Sequence, residues 1–377
     1  MTELEIRPVH TRRDRHTFLT FPWRIHRDDP LWVPPLLPEM KKRIDPQRGA
    51  FFQRGEAEFF IAWRAGQPVG TVCTALDHKS NQLRQSRECV FGFLDYIEDT
   101  AVFEALIARV ISWAAARGLN TLHGPFNLDY EDGYGVLVEG RDRPPVLLCG
   151  HTPPYYLDFM VRYGFQPARG DNLAYEIQVD QETPALQQLS EAAERVRRRG
   201  RVTLREGQLE DFEGEVDRVH RLLNKALAHL PDYIPWQREA VAELLGTFKT
   251  IADPELILFA DVNGETVGFF PGLPNLNEAI QRANGLRYLW NYPQLWWYSR
   301  RRPKCLTIKS VLVLPEYWGS GVGLLLFDEM VKRVRARGYQ WIDLSLTSAD
   351  NPKTPMLAER LGARIYKRYR VYKLDIG

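Results

Sequence analysis

Cysteine is scarce in this chain: four residues in 377, at positions 73, 89, 149 and 305. None stands at a C-x-x-C or metal-ligand spacing, which removes a disulfide scaffold and suits a reducing, cytoplasmic setting. The eight histidines are scattered as well. They show no metal spacing and no Gly-x-Ser-x-Gly or Cys–His setting, so metal-centre and hydrolase chemistry lack sequence support. No run of eighteen apolar residues occurs, so no segment reads as a membrane span. The first residues lack a basic stretch followed by an apolar one, and a secretory signal is not expected. The net charge is only +2, which gives no general reason to expect nucleic acid or an acidic partner. Apolar residues make up 44% and aromatics 12%, so the chain is a folded globular protein, and its length predicts two domains.

Two halves repeat a pattern. Residues 60–72 and 259–270 both read as β-hairpins, turning at Ala65-Gly66 and Asn263-Gly264. Ala116-Arg-Gly-Leu-Asn-Thr-Leu122 matches Ala336-Arg-Gly-Tyr-Gln-Trp-Ile342, each a glycine-capped helix end followed by a strand. Arg162-Tyr-Gly-Phe165 matches Arg360-Leu-Gly-Ala363 before a last strand. Matched glycines lie 198 residues apart (70 and 268), 220 apart (118 and 338) and 198 apart (164 and 362). A period of about two hundred residues is a duplicated domain and not a solenoid. The division expected is 1–180, a basic linker helix over 181–201 ending in Arg195-Val-Arg-Arg-Arg-Gly, and 202–377.

The second half carries the most specific chemistry. A strand over 305–314 runs into Tyr317-Trp-Gly-Ser-Gly-Val-Gly323, and a helix over 324–337 follows at once. Glycines let backbone approach a ligand closely, and the unpaired N–H groups and positive dipole end of a helix attract an anion. The pyrophosphate of a nucleotide-bearing cofactor fits such a junction. In the strand over 341–347, Asp343, Ser345 and Thr347 alternate with Ile342, Leu344 and Leu346. Helices over 212–230, 237–248 and 354–361 and a last strand over 365–374 complete this half.

This order of elements, with Val313-x-Pro315 ahead of the glycine stretch, resembles the GNAT superfamily of acyl-CoA-dependent N-acyltransferases. The resemblance covers 202–377 strongly and 5–180 as a degenerate copy, implying a mixed α/β (α+β) fold of two tandem GNAT-like domains. It implies that Leu312 and Val313 pair with a pantetheine arm. It further implies that Trp318, Gly319, Ser320, Gly321, Val322, Gly323 and Leu324 hold the pyrophosphate of acetyl-CoA or another acyl-CoA, with Asn351 a further contact. Trp318 stands where the family motif usually begins with Arg or Gln. The usual tyrosine acid falls on Ala358, which leaves the acid unassigned. Asp343, Ser345 and Asp350 are candidate bases, with Tyr366, Tyr369 and Tyr372 as phenols on the last strand. The reaction implied moves an acyl group, acetyl by default, to a small-molecule or peptide amine. A non-catalytic acyl-CoA-binding protein is the alternative. An aminoacyl-tRNA-dependent transferase is a second alternative, against which the pyrophosphate cradle argues.

The first half has no such cradle. Before its helix stands Leu94-Asp-Tyr-Ile-Glu-Asp-Thr100, with three carboxylates and no glycine, so one cofactor site per chain is expected. Asp129, Tyr130, Glu131 and Asp132 lie on an irregular acidic stretch suited to a cationic amine. The motifs Asp29-Pro-Leu-Trp-Val-Pro-Pro35 and His151-Thr-Pro-Pro-Tyr-Tyr156 resemble those of a bacterial group of GNAT-like proteins. Residues 286–304 hold six Tyr and Trp residues before Arg300-Arg-Arg-Pro-Lys304. Burial between domains is the leading expectation for that segment, with a long acyl pocket or peripheral membrane contact as alternatives.

Overall fold

The computed structural model describes residues 3–130, 135–229, 235–249, 252–301, 303–309, 311–350 and 358–377. The chain opens with β1 (Leu4–Pro8) and a helical layer of α1 (Arg12–Thr20), α2 (Pro22–Ile25) and α3 (Leu37–Arg43). The hairpin β2 (Gly55–Arg64) and β3 (Gln67–Asp77) follows, then α4 (His78–Arg84), β4 (Glu88–Tyr96), α5 (Thr100–Ala115) and β5 (Thr121–Phe126). Next come β6 (Val136–Glu139), α6 (Tyr155–Tyr163), β7 (Gln166–Pro167), β8 (Asn172–Gln178) and α7 (Pro184–Arg197).

The second half repeats the order. It runs β9 (Thr203–Glu206), α8 (Phe212–Ala226), α9 (Arg238–Phe248), the hairpin β10 (Ile257–Val262) and β11 (Glu265–Pro274), then α10 (Asn277–Arg282) and α11 (Asn291–Ser299). After β12 (Cys305–Ile308) and β13 (Leu312–Val313) come α12 (Val322–Ala336), β14 (Trp341–Ser348), β15 (Arg364–Arg370) and β16 (Tyr372–Asp375).

The duplication is visible in matching geometry. Both hairpins turn through two residues of positive φ, Ala65 and Gly66 (49° and 73°) and Asn263 and Gly264 (51° and 82°), the twist-compatible two-residue turn. A Cβ on Gly70 would lie 2.8 Å from Leu106 Cδ1, and one on Gly268 2.9 Å from Leu326 Cδ1. Each half therefore needs a bare backbone where its long helix crosses its third strand. One stripe of α12 is buried: Leu326, Met330 and Val334, with Phe327 and Val331 beside them.

Strand membership does not follow the halves. Among the described residues, one sheet runs β1-β2-β3-β4-β5-β16-β7 and the other β6-β15-β8-β14-β12-β11-β10-β9. The antiparallel place beside β5 is filled by β16, from the chain's end, and the corresponding place beside β14 by β8, from the first half. Residues 365–374, which read as one strand, divide at Val371 between β15 in one sheet and β16 in the other. The exchange carries core with it: Tyr372 is buried among first-half side chains, and Leu173, Tyr175 and Ile177 among second-half ones. The helix expected within 181–201 is α7, which packs on α12 and buries Leu186, Leu189 and Ala193.

One strand break positions the site. The parallel pairing of β12 with β14 ends at Ile308 opposite Leu344. Both β12 and β13 lie along β11, Ile308 opposite Gly272 and Val313 opposite Gly268. Among the described residues, however, β13 does not pair with β14, which changes register against β8 between Leu344 and Thr347. The two strands splay apart there.

Candidate active site

Two structural equivalents can be compared directly, because Gly70 faces Tyr96 in the first sheet as Gly268 faces Val313 in the second. In antiparallel pairs the backbone groups alternate sides. Leu314 N–H donates to Val267 O at 2.9 Å, so the N–H and C=O of Val313 turn the other way, into the splay. At Tyr96 the corresponding groups are closed off by side chains. Its N–H donates to the Tyr156 hydroxyl (3.1 Å) and its C=O accepts from the Tyr155 hydroxyl (2.6 Å), with the Tyr156 ring stacked on Tyr96 at 4.3 Å. The adjoining helix start is closed too. Asp99 accepts from Ala101 N–H (2.9 Å) and Val102 N–H (3.4 Å) and pairs with Arg64 (2.6 Å). The Arg64 guanidinium and these amides hold the Asp99 carboxyl below the usual carboxylate range.

In the second half the same junction is open. Gly321, at φ 94°, is the N-cap of α12, and the first intrahelical donor is Leu325 N–H to Gly321 O at 3.0 Å. The preceding amides of Gly323 and Leu324 point outward from the helix start. A Cβ on Gly319 or Gly323 would meet no atom within 4 Å, whereas one on Gly321 would lie 2.5 Å from Val196 Cγ2. The loop therefore has α7 behind it and free space at Gly319 and Gly323, a cradle that fits a pyrophosphate. Exposed Arg195, Arg198 and Arg199 stand on the end of α7 that touches the loop. Ser320 Oγ donates to Tyr317 O at 2.6 Å and Val322 is buried. Trp318 folds back, its indole N–H donating to Val313 O at 2.9 Å and its ring standing edge-on to His229. Leu312 is buried beneath. Asn351 lies outside the described residues.

At the apex of the splay several polar side chains converge. Asp343 is fully buried and accepts from the Tyr366 hydroxyl (2.7 Å), the Ser345 hydroxyl (2.7 Å) and Lys309 Nζ (3.3 Å). Lys309 also donates to Ser345 Oγ at 2.6 Å, and Cys149 Sγ lies 3.5 Å from that oxygen. This face of β14 is covered by a loop of the first half, whose Val146 packs with Cys305, Tyr366 and Leu346. Burial, with Asp343 beside it, raises the Tyr366 phenol well above its ordinary value, so it acts as a fixed donor. Burial likewise keeps the Cys149 thiol protonated. Tyr369 donates to Gly150 O at 3.0 Å and Tyr372 is buried. Ala358 is buried as well.

Sequence reasoning put Asp343 and Ser345 on one face, and the structure brings them together. It did not find Lys309 or Cys149. Neither did it find a second pair near Cys149 in sequence: His151 Nε2 lies 2.8 Å from Asp29 Oδ2, while the buried Nδ1 has no partner among the described residues. The signal was available, since these residues open the two motifs at 29–35 and 151–156. Burial holds the His151 ring below its ordinary pKa, against the pull of Asp29.

Other candidates lie elsewhere. Asp350 accepts Gly170 N–H at 2.7 Å and its own N–H bonds Ser348, a turn arrangement. Asp129 pairs with Arg54 at 2.6 Å, and Tyr130 donates to Glu88 with Arg84 4.1 Å above its ring, ties that hold this stretch to the first sheet. Glu131 and Asp132 lie outside the described residues. Among the described residues no group of three His, Cys, Asp or Glu could hold a metal, and no helix is long and apolar enough to cross a membrane.

Comparison with known proteins supports the fold and family. The acetyltransferase (GNAT) family model matches residues 218–363. The bacterial ceramide synthase of Caulobacter vibrioides is 30% identical over 380 residues, spanning 98% of this chain and 97% of that protein. Protein YghO of Escherichia coli is 28% identical over 379 residues, spanning 98% and 95%. A tandem GNAT protein from the clavulanic acid biosynthesis pathway superposes with a TM-score of 0.59 at 14% identity, covering 100% of this chain and 99% of that one. With both halves built on one plan, a cradle in the second and a closed counterpart in the first, the chain belongs to the GNAT acyltransferase family in its tandem arrangement.

Proposed function

We propose that the chain is an N-acyltransferase that moves a fatty acyl group from its coenzyme A thioester to the primary amine of a long-chain amino alcohol. The observation that carries the reaction type is the splay itself: a strand whose Val313 N–H faces the gap beside a glycine cradle, with Lys309, Asp343 and Ser345 at its apex. The substrate class rests on the Caulobacter relative, because a ceramide is a long-chain amino alcohol carrying an N-linked fatty acyl chain. On that ground a longer acyl chain replaces the acetyl group expected from sequence.

In this reading the Gly323 and Leu324 amides and the dipole of α12 hold the pyrophosphate, and the exposed arginines at the end of α7 add positive field. Val313 N–H holds the pantetheine arm. The bound thioester supplies an activated acyl carbon and a thiolate able to depart without a dedicated acid. Lys309, fixed by Ser345 and Asp343, keeps a positive charge where negative charge develops on the acyl oxygen. Asp343, which already accepts from three donors, positions Lys309 and does not itself take a proton. The amine must lose its proton, and His151 accepts it at Nδ1, since Asp29 engages Nε2 and the depressed ring pKa keeps it neutral near pH 7. A second reading, acyl-CoA binding without turnover, draws on Ala358 in place of the family's tyrosine.

Thermal unfolding with CoA, and thiol release from palmitoyl-CoA in the presence of sphinganine, separate these readings. CoA should raise the melting temperature, and thiol should appear only when both substrates are present. Gly323→Glu should remove the CoA shift and leave the fold intact. Its side chain enters open space and an acid near a helix start is favourable. Gly321 is a poorer choice, because Val196 and a positive φ oppose any side chain there. Lys309→Met and His151→Gln should each lower turnover about a hundredfold while CoA still binds. No shift at saturating CoA would sink both readings, and a shift without thiol release would leave the binder.

A further inference from the structure

The aromatic cluster between Tyr288 and Trp297 does not form the interdomain core expected of 286–304, because most of its rings are exposed. α11 turns Asn291, Leu295 and Tyr298 inward, an i, i+4, i+7 stripe, and leaves Tyr292, Trp296 and Trp297 exposed. Just before it, Leu289 is 85% exposed and Trp290 64%. Of the thirteen large hydrophobic side chains exposed among the described residues, six fall between Tyr288 and Trp297, so the patch is a cluster and not the usual scatter. The charge around it has one sign. From Glu278 to Lys304 the sequence carries six basic residues and one acidic. Several guanidinium groups lie at the level of the rings, Arg300 3.6 Å from the centroid of Trp296, Arg301 5.1 Å from Tyr298 and Arg287 5.4 Å from Tyr288.

We infer that this face docks the protein on an anionic phospholipid bilayer. Trp and Tyr rings settle at the headgroup level, Leu289 enters the acyl boundary, and the arginines meet lipid phosphates. A second copy of the chain fits less well, because a two-fold contact through this face would set Arg300 and Arg301 of one copy against those of the other. The chain that leads into this face is tied to the first half. At the start of α10, Asn277 Nδ2 donates to Pro145 O (2.9 Å) and Asn275 Oδ1 accepts Leu147 N–H (3.0 Å), which ties the segment to the loop that carries Cys149 to the apex. Arg287, on the same face, lines a cavity of about 440 Å³ shared with Arg24, His26 and Trp32. Docking would therefore bring the site within reach of lipid.

The test is cosedimentation of the full chain, without acyl-CoA, with vesicles of phosphatidylcholine plus phosphatidylglycerol or of phosphatidylcholine alone. The wild type should pellet with the mixed vesicles, with affinity falling about tenfold or more on pure phosphatidylcholine and again at high salt. Trp290→Ala/Trp297→Ala and Arg300→Glu/Arg301→Glu should each weaken binding about tenfold at an unchanged melting temperature, because the side chains are exposed. Failure of the wild type to pellet with mixed vesicles would overturn the proposal, as would full binding by both double variants. A dimer on gel filtration that the tryptophan variant dissolves would instead make the face a contact between copies. Vesicle binding is read without substrate, so its failure leaves the acyltransferase reading standing.

Discussion

Lys367 shows how strongly this fold can act on one side chain. It is buried on β15, donates to the carbonyls of Gly140 and Arg143, and burial lowers its pKa from 10.5 to about 8. A folded-state pKa below the unfolded one means that the charged form is penalised by folding. The penalty is complete while both states are protonated, below pH 8, and fades as pH rises from about 8 towards 10.5, by roughly 3 kcal/mol. Wild type should therefore gain stability relative to Lys367→Met across that window, read as the difference in melting temperature over a pH series. A constant difference, or one of opposite slope, would contradict the assignment. At this scale sequence was informative where neighbours lie on one strand. Asp343 and Ser345 share a face because side chains alternate. Lys309, Cys149 and His151 were hidden because their partners come from other segments, and the cover over β14 comes from the other half of the chain.

The two strand–helix junctions differ in what satisfies their backbone. At α12 the helix start is bare glycine, with open space at Gly319 and Gly323, and at α5 it is an Asp99 cap with Tyr155 and Tyr156 filling the neighbouring strand's hydrogen bonds. The absence of glycine at 94–100 was legible in sequence; the two tyrosines that close the junction were not, because they arrive some sixty residues later on α6. Tyr156→Phe keeps the stacked ring but leaves the buried Tyr96 N–H without its acceptor, which should cost about 1–3 kcal/mol in denaturant unfolding. CoA binding should be unchanged in that variant. A loss of CoA binding would mean that the first-half junction contributes to the cofactor site after all. The end of the β12–β14 pairing was equally invisible: 305–314 reads as one continuous apolar strand, and β12 and β13 both lie along β11, yet only β12 also pairs with β14.

At the scale of the whole molecule the two sheets are joined by exchange. β8 completes the second sheet and β16 the first, so each half lacks a core strand when alone. Residues 1–180 and 202–377 produced separately should aggregate or remain unfolded by circular dichroism, and should recover CoA-dependent stabilisation when coexpressed with 181–201 attached to either piece. Two separately folded, cooperative pieces would refute this dependence. Sequence alone determined the duplication, the hairpin turns, the glycine-rich strand–helix junction and its glycine-free counterpart in the first copy, because each is written in local residue types whose backbone needs are local. The tertiary structure decided which strand completes which sheet, which side chains close the apex and which aromatic face stays in water. Alternation specifies a strand's two faces but not its neighbours, and an aromatic run reads the same whether it ends in a core or on a surface.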